Sequence, residues 1–311
     1  AIIIKWTLII VLNTFIWRLD MNLKYIVTSN NYKNINQILK QELNISARLQ
    51  QKLIKSHHVY LNSVIVDTRS SVSLNDVISV DLNFEEESKN IISTSMALDI
   101  IYEDDCFLVL NKPAGIAVHP SILHYTDSLA NGVKYYFDKI GLKRKIRPIN
   151  RLDLNTSGII IFAKNEYVQE CLIKQMENNT FEKYYIAFVS GFFKSDIGTV
   201  CLPIARKKNS IIERCIDKSG QTAITNYKIL SKYDNFSVVE CHLQTGRTHQ
   251  IRVHMSAIGH PLLGDTLYGT SSSLINRQAL HSYKISFIHP ITKQILTLSC
   301  DLPDDMKLIL T

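Results

Sequence analysis

Cysteine is sparse and unpatterned in this 311-residue chain. There are six, Cys106, Cys171, Cys201, Cys215, Cys241 and Cys300, with no CxxC pair and no histidine spaced to complete a zinc site. This excludes a disulfide framework and reads as reduced thiols of a cytoplasmic protein. HExxH and clustered His/carboxylate ligands are missing too, which disfavours a metal-dependent hydrolase. No internal repeat or low-complexity tract is present. Charged residues are only 20% against 46% hydrophobic, the balance of a globular chain and the reverse of a disordered one. The one excess is mild: 35 Lys and Arg against 28 Asp and Glu, net +7, pointing weakly towards an anionic partner such as nucleic acid. The length suggests about two domains.

The opening "AIIIKWTLIIVLNTFIW" is apolar except for Lys5, Thr7, Asn13 and Thr14. A membrane anchor or signal segment is one reading, at the lower limit of length for a span. The preferred expectation is that residues 1–20 are a non-native extension, that Met21 is the natural start, and that no membrane is involved. Residues 21–84 form a compact unit. "NINQILKQEL" and "SARLQQKLIKS" have helical spacing, with Ser46 a plausible N-cap, and "HVYLNSVIV" and "VISVDLNF" read as short strands. Residues 85–97, beginning "EEESKN", read as a linker.

From residue 98 to 311 strand-like segments dominate, among them "CFLVLNKP", "IIIFAK", "YYIAFVSG", "FSVVECHL" and "KISFIHP". Helical stretches such as "TDSLANGVKYYFDKI" lie between them, giving an α+β domain with a large mixed sheet. Within it "INRLDLNTSG" sets Arg151 and Asp153 just before the apolar run Ile159–Ala163. Asp153 therefore lies on a loop entering the core, where a carboxylate is costly unless a cation or donors hold it. On charge pattern alone a structural Asp–Arg pair or a turn-capping Asp explains it equally.

Five stretches occur in order: "NKPAGIAVHP", "INRLDLNTSGIIIFAKN", "KYYIAFVSG", "LQTGRTHQIRVHMSAIGHPLLGDTLYG" and "RQALHSYKISFIHP". Together they resemble the RluA/RluD-type RNA pseudouridine synthases, over about residues 99–290. In the N-terminal unit, "ISARLQQKLIKSHHVYLNSVIV" resembles the alpha-L RNA-binding domain, with His58 and Tyr60 departing from its usual residues. The first resemblance implies the pseudouridine-synthase fold, with a large mixed, mostly antiparallel sheet. It also implies isomerisation of uridine in RNA without metal or cofactor, in a cytoplasmic protein expected to be monomeric. The RNA would be large-subunit ribosomal RNA or, as for some members, transfer RNA.

The resemblance implies residue roles as well. Asp153 would be the carboxylate that acts on the nucleotide. Arg151 would take the place of the flipped base, a use suited to a planar cation. Tyr185, placed by the K-x-Y spacing from Lys183, would pack on the target base, and Arg252 would form a salt bridge to Asp153. Arg247 and His249 would meet phosphate or organise their loop. Lys112, with Pro113 and Gly115, would form a turn close to RNA. Arg48, Lys52 and Lys55 of the alpha-L unit would contact RNA phosphates. The basic runs "KRKIRP" and "ARKKNS" would flank the site as an electrostatic track, unless they are merely solvated loops. Asn150 stands where the family usually has His, and Leu154 where a polar residue is common. The rival reading is a catalytically silent RNA-binding or ribosome-assembly factor, which need not keep Asp153, Tyr185 and Arg252 together. Zinc at His249, His254 and His260 is disfavoured, because five-residue spacing does not align two imidazoles on one helix face.

Overall fold

A computed structural model describes residues 7–11, 14–18, 21–67 and 69–311. Within the apolar opening stretch, strands β1 (Thr7–Val11) and β2 (Thr14–Arg18) pair antiparallel. The expectation about residues 1–20 falls partly on residues 1–6, 12, 13, 19 and 20, outside the described residues. Among the described residues no helix is long and apolar enough to cross a membrane.

The N-terminal unit contains β3 (Asn22–Ile26), α1 (Ile35–Gln41), α2 (Ala47–Lys55), β4 (Val59–Leu61), β5 (Val64–Ile65) and β6 (Val77–Asp81). Its strands form a four-stranded sheet in the order β3-β6-β4-β5. Asn34 and Ser46 cap the two helices, each accepting a backbone N–H three residues on. Ile35, Ile38, Leu39, Leu49 and Leu53 turn inward at helical spacing.

The larger unit is built on a ten-stranded sheet. Its elements are β7 (Ile100–Glu103), β8 (Phe107–Lys112), α3 (Leu129–Lys139), β9 (Arg147–Pro148), β10 (Ser157–Ala163), α4 (Glu166–Glu177), β11 (Glu182–Ser190) and β12 (Ile197–Cys201). A small hairpin of β13 (Ile204–Arg206) and β14 (Arg214–Ile216) follows, outside the main sheet. Then come β15 (Ile224–Lys232), β16 (Phe236–Leu243), α5 (Gln250–Ala257), β17 (Leu280–Ile288), β18 (Ile295–Ser299) and α6 (Asp304–Lys307). The order β12-β15-β16-β11-β17-β10-β8-β7, with β18 on β17 and β9 on β10, is antiparallel except where β10 lies parallel to β17. The expected mixed, mostly antiparallel sheet is thus present.

Alternation along the strands separates two cores. Phe107, Val109, Ile159, Ile161, Ile285 and Phe287 face one side, where α4 and the whole N-terminal unit share a single apolar cluster with them. Leu108, Leu110, Ile160, Phe162, Tyr185, Val239 and Leu243 face the other, packed with α3 and α5. β10 is covered on both faces, which is why its sequence is an unbroken apolar run. The stretch 85–97 is no free tether. Glu86 is buried and paired with Arg147, Lys143 meets Glu85, and Arg144 donates to the Phe84 carbonyl. The "KRKIRP" run therefore clasps this acidic segment, and its first, second and fifth residues are engaged there.

Candidate active site

The loop between Asn150 and Thr156 is pinned at several points. Asn150 uses both ends of its amide on β10, donating to the Ile159 carbonyl and accepting from Ile161 N–H, each at 2.9 Å. This is what the Asn at the departing position does: it docks the loop like an added backbone rung. Lys112 is fully buried, and its ammonium donates to the carbonyls of Pro113, Ile116 and Leu154 at 2.8–2.9 Å. Burial, helped by the nearby Arg277, pushes its pKa down to about 7, while three acceptors match the three protons of the charged form. Lys112 thus ties two loops together and does not itself reach the surface. Arg277 donates to the Asn155 carbonyl from the other side. Gly158 has φ +111°, and a Cβ there would stand 2.2 Å from the Ser282 carbonyl oxygen. Only glycine lets β10 start this close to β17.

So held, Asp153 keeps 20% of its side-chain exposure and lines a cavity of about 590 Å³. Tyr185, Lys183, Arg151, Arg247, Asn150 and Leu243 line it too. Arg252, from α5, donates through Nη1 to Asp153 Oδ2 at 3.1 Å. Its other contacts are shorter: Nε and Nη2 grip Asp265 at 2.7 and 2.8 Å. Burial works against the Arg252 charge, but the Asp265 bonds more than offset it and its pKa is raised. Asp265 also accepts from the N–H groups of Leu267 and Tyr268. A buried carboxylate thus fixes the arginine that meets Asp153.

His249 sits at the start of α5 with φ 59° and brings Nε2 to 3.7 Å from the same Asp153 oxygen. Burial pushes its pKa below the usual histidine value, so the ring is neutral at pH 7. Its Nδ1 lies 2.8 Å from the Tyr268 hydroxyl, which already accepts from Arg214 N–H. In the tautomer where Nδ1 accepts the Tyr268 hydroxyl proton, Nε2–H is directed at Asp153. At 3.7 Å that contact is not yet a hydrogen bond. Asp153 Oδ1 has no partner among the described residues. Tyr185 is buried, and burial pushes its phenol up to about 12, so it is a neutral ring at any working pH.

Arg151 is exposed at the cavity rim and makes no ion pair or hydrogen bond among the described residues. Arg247 donates Nε to the Thr222 carbonyl and has no carboxylate partner among the described residues. The N-terminal cations lie elsewhere. Arg48 pairs with Glu166 across to α4, Lys52 pairs with Glu86 and Glu166, and Lys55 is exposed without a partner among the described residues. None of the three lines the cavity. His254 bonds Thr225 and the Leu202 carbonyl, and His260 bonds the Ser190 carbonyl, so the three imidazoles do not converge. Asp265, Tyr268 and Lys183 belong to the site although their motifs alone give them no role. Asp265 and Tyr268 stand in the quoted "GDTLYG", where an acid following a glycine was the available signal.

Residues 106–257 match the family described as RNA pseudouridylate synthase. The chain is 39% identical over 272 residues to Bacillus subtilis (strain 168) YhcT, an uncharacterized RNA pseudouridine synthase, covering 87% of this chain and 90% of that protein. It is 33% identical over 308 residues to the ribosomal large subunit pseudouridine synthase D of Zymomonas mobilis, covering 94% and 92%. Human RNA pseudouridylate synthase domain containing 1 shares 26% identity at a TM-score of 0.54, over 66% of this chain and 83% of that one. The chain belongs to the RNA pseudouridine synthase family.

Proposed function

We propose that this enzyme converts uridine to pseudouridine in large-subunit ribosomal RNA, with Asp153 as the carboxylate that acts on the extruded nucleotide. One observation carries this: Asp153 opens into the cavity with one oxygen held by Arg252 and the other free. A carboxylate gripped on one side is oriented without being used up. Tyr185 gives the base a neutral aromatic face, and its burial fixes the ring. Arg151, exposed and unpartnered, is free to replace the extruded base in the stack. Arg247 serves the backbone, and His249 orients the Asp153 carboxylate. Neither metal nor cofactor has a role in this scheme. The ribosomal substrate is supported by relatives of that description that match along nearly the full length. The N-terminal unit, residues 21–84, acts as an alpha-L RNA-binding domain, with Lys55 and the exposed end of Arg48 offered to phosphate and Lys52 serving the seam between units.

Pseudouridine mapping of total RNA from cells with and without the gene tests this reading. At least one position in large-subunit ribosomal RNA is expected to revert to uridine. An unchanged map of that RNA, with transfer RNA altered instead, would reassign the substrate.

A further inference from the structure

Six Lys or Arg side chains are buried among the described residues: Lys112, Arg147, Lys164, Lys183, Arg252 and Arg277. Five have hydrogen-bond or ion-pair partners. Lys112 has three carbonyls, Arg147 has Glu86, Lys164 has Glu103, Arg252 has Asp265 and Asp153, and Arg277 has Asp305. The Lys183 ammonium has neither an ion pair nor a hydrogen bond among the described residues. It stands two residues before Tyr185 on β11, on the same face, and lines the same cavity as Asp153. Its side chain is mostly buried and its tip opens on the cavity, so the protein supplies no counter-charge and leaves the ammonium to whatever enters there.

We infer that Lys183 is the phosphate-binding residue of the target nucleotide, holding a phosphodiester next to the extruded uridine. Three observations favour an anion over a neutral carbonyl. Arg247 lines the same cavity, and its charge adds to burial in pushing the Lys183 pKa down, so two cations repel one another across a space that an anion would fill. Arg247 commits only Nε, to the Thr222 carbonyl, which leaves its terminal nitrogens to share the ligand. Position 246 is glycine, and a Cβ there would stand 3.6 Å from Lys183 Nζ. The Gly246 backbone therefore lies beside the ammonium with no side chain between it and the cavity. The only full negative charges of a ribonucleotide unit are its phosphates, and a compact ammonium suits one of their oxygens.

The inference rests on the proposed reaction for the identity of the nucleotide, but its test does not need turnover. Uridine, uridine 5′-monophosphate and uridine 3′-monophosphate are titrated into the intact protein and followed by NMR. One monophosphate is expected to bind the wild type at least about tenfold more tightly than uridine. In Lys183→Met that preference falls to about twofold, and Lys183→Arg retains most of it. Thermal melting supplies the second readout. Losing an unmatched buried charge should leave Lys183→Met as stable as wild type or more so, whereas a residue kept for structure would lower the melting temperature. Lack of any phosphate preference in the wild type overturns the inference, as does a preference that survives Lys183→Met or a marked loss of stability in that variant. Failure of the wild type to form pseudouridine in RNA would count against the proposed function alone.

Discussion

The reaction cavity and the seam beneath the N-terminal unit use the same residue types in opposite ways. At the seam, cations meet carboxylates: Lys52 with Glu86 and Glu166, Arg48 with Glu166, Arg147 with Glu86. Around the cavity Arg151, Lys183 and Arg247 have no carboxylate partner among the described residues, and Asp153, which lines the cavity with them, is held by Arg252. A net charge of +7 could not distinguish these regions. What separates a substrate-facing cation from a structural one is whether the chain supplies it with partners, carboxylates at the seam or the three carbonyls around Lys112.

The contrast can be broken most severely at Arg252. Arg252→Met leaves Asp265 buried and Asp153 unheld, and is expected to abolish pseudouridine formation and to cost about 3–5 kcal/mol in urea unfolding. An active, stable variant would show that the two carboxylates do not depend on it. Behind the cavity, His281 on β17 bonds Ser157 at the base of the Asp153 loop, and burial pushes its pKa down to about 4 from 6.5. The folded state then binds fewer protons than the unfolded one between these values. Its contribution is present above pH 6.5 and is lost as pH falls towards 4, about 2 kcal/mol of it by pH 5. Unfolding free energies at pH 7 and 5 should show a shallower fall in His281→Gln; equal slopes would contradict the assignment.

At the seam the expected effect is smallest. Lys52 is partly exposed, and Glu86 keeps Arg147, so Lys52→Met should cost about 1 kcal/mol and leave turnover on a short stem-loop unchanged. A turnover defect there would carry the functional surface further than the cavity. Because the N-terminal unit shares one apolar cluster with Phe107 and Phe287, deleting residues 21–84 would strip the sheet. Point substitutions at Lys55 are the cleaner probe of RNA binding.

Much of the fold was legible because it is local. The Ile159–Ala163 run, the Ser46 cap and the alternation of Lys183, Tyr184 and Tyr185 need only neighbouring residues to interpret. The pair of Asp153 and Arg252 was legible through motif resemblance, though the two lie 99 residues apart. What escaped was long-range and specific. Lys52 reads as a contact to RNA phosphate, yet it pairs with Glu166, 114 residues away. Lys112 reads as a loop-tip contact, yet three carbonyls draw it inside. Asp265 stands in a quoted motif without a role, because its partner Arg252 lies 13 residues earlier on a helix and only the fold brings them together. The β13–β14 hairpin was missed because its strands are three residues each, too short for periodicity.

The most direct test is single-turnover pseudouridine formation by Asp153→Asn on an RNA that the wild type modifies, with binding measured in parallel. The expected result is no detectable product and affinity within about tenfold of wild type, because phosphate contacts dominate binding. Product formed at the wild-type rate would contradict the assignment of the reacting carboxylate.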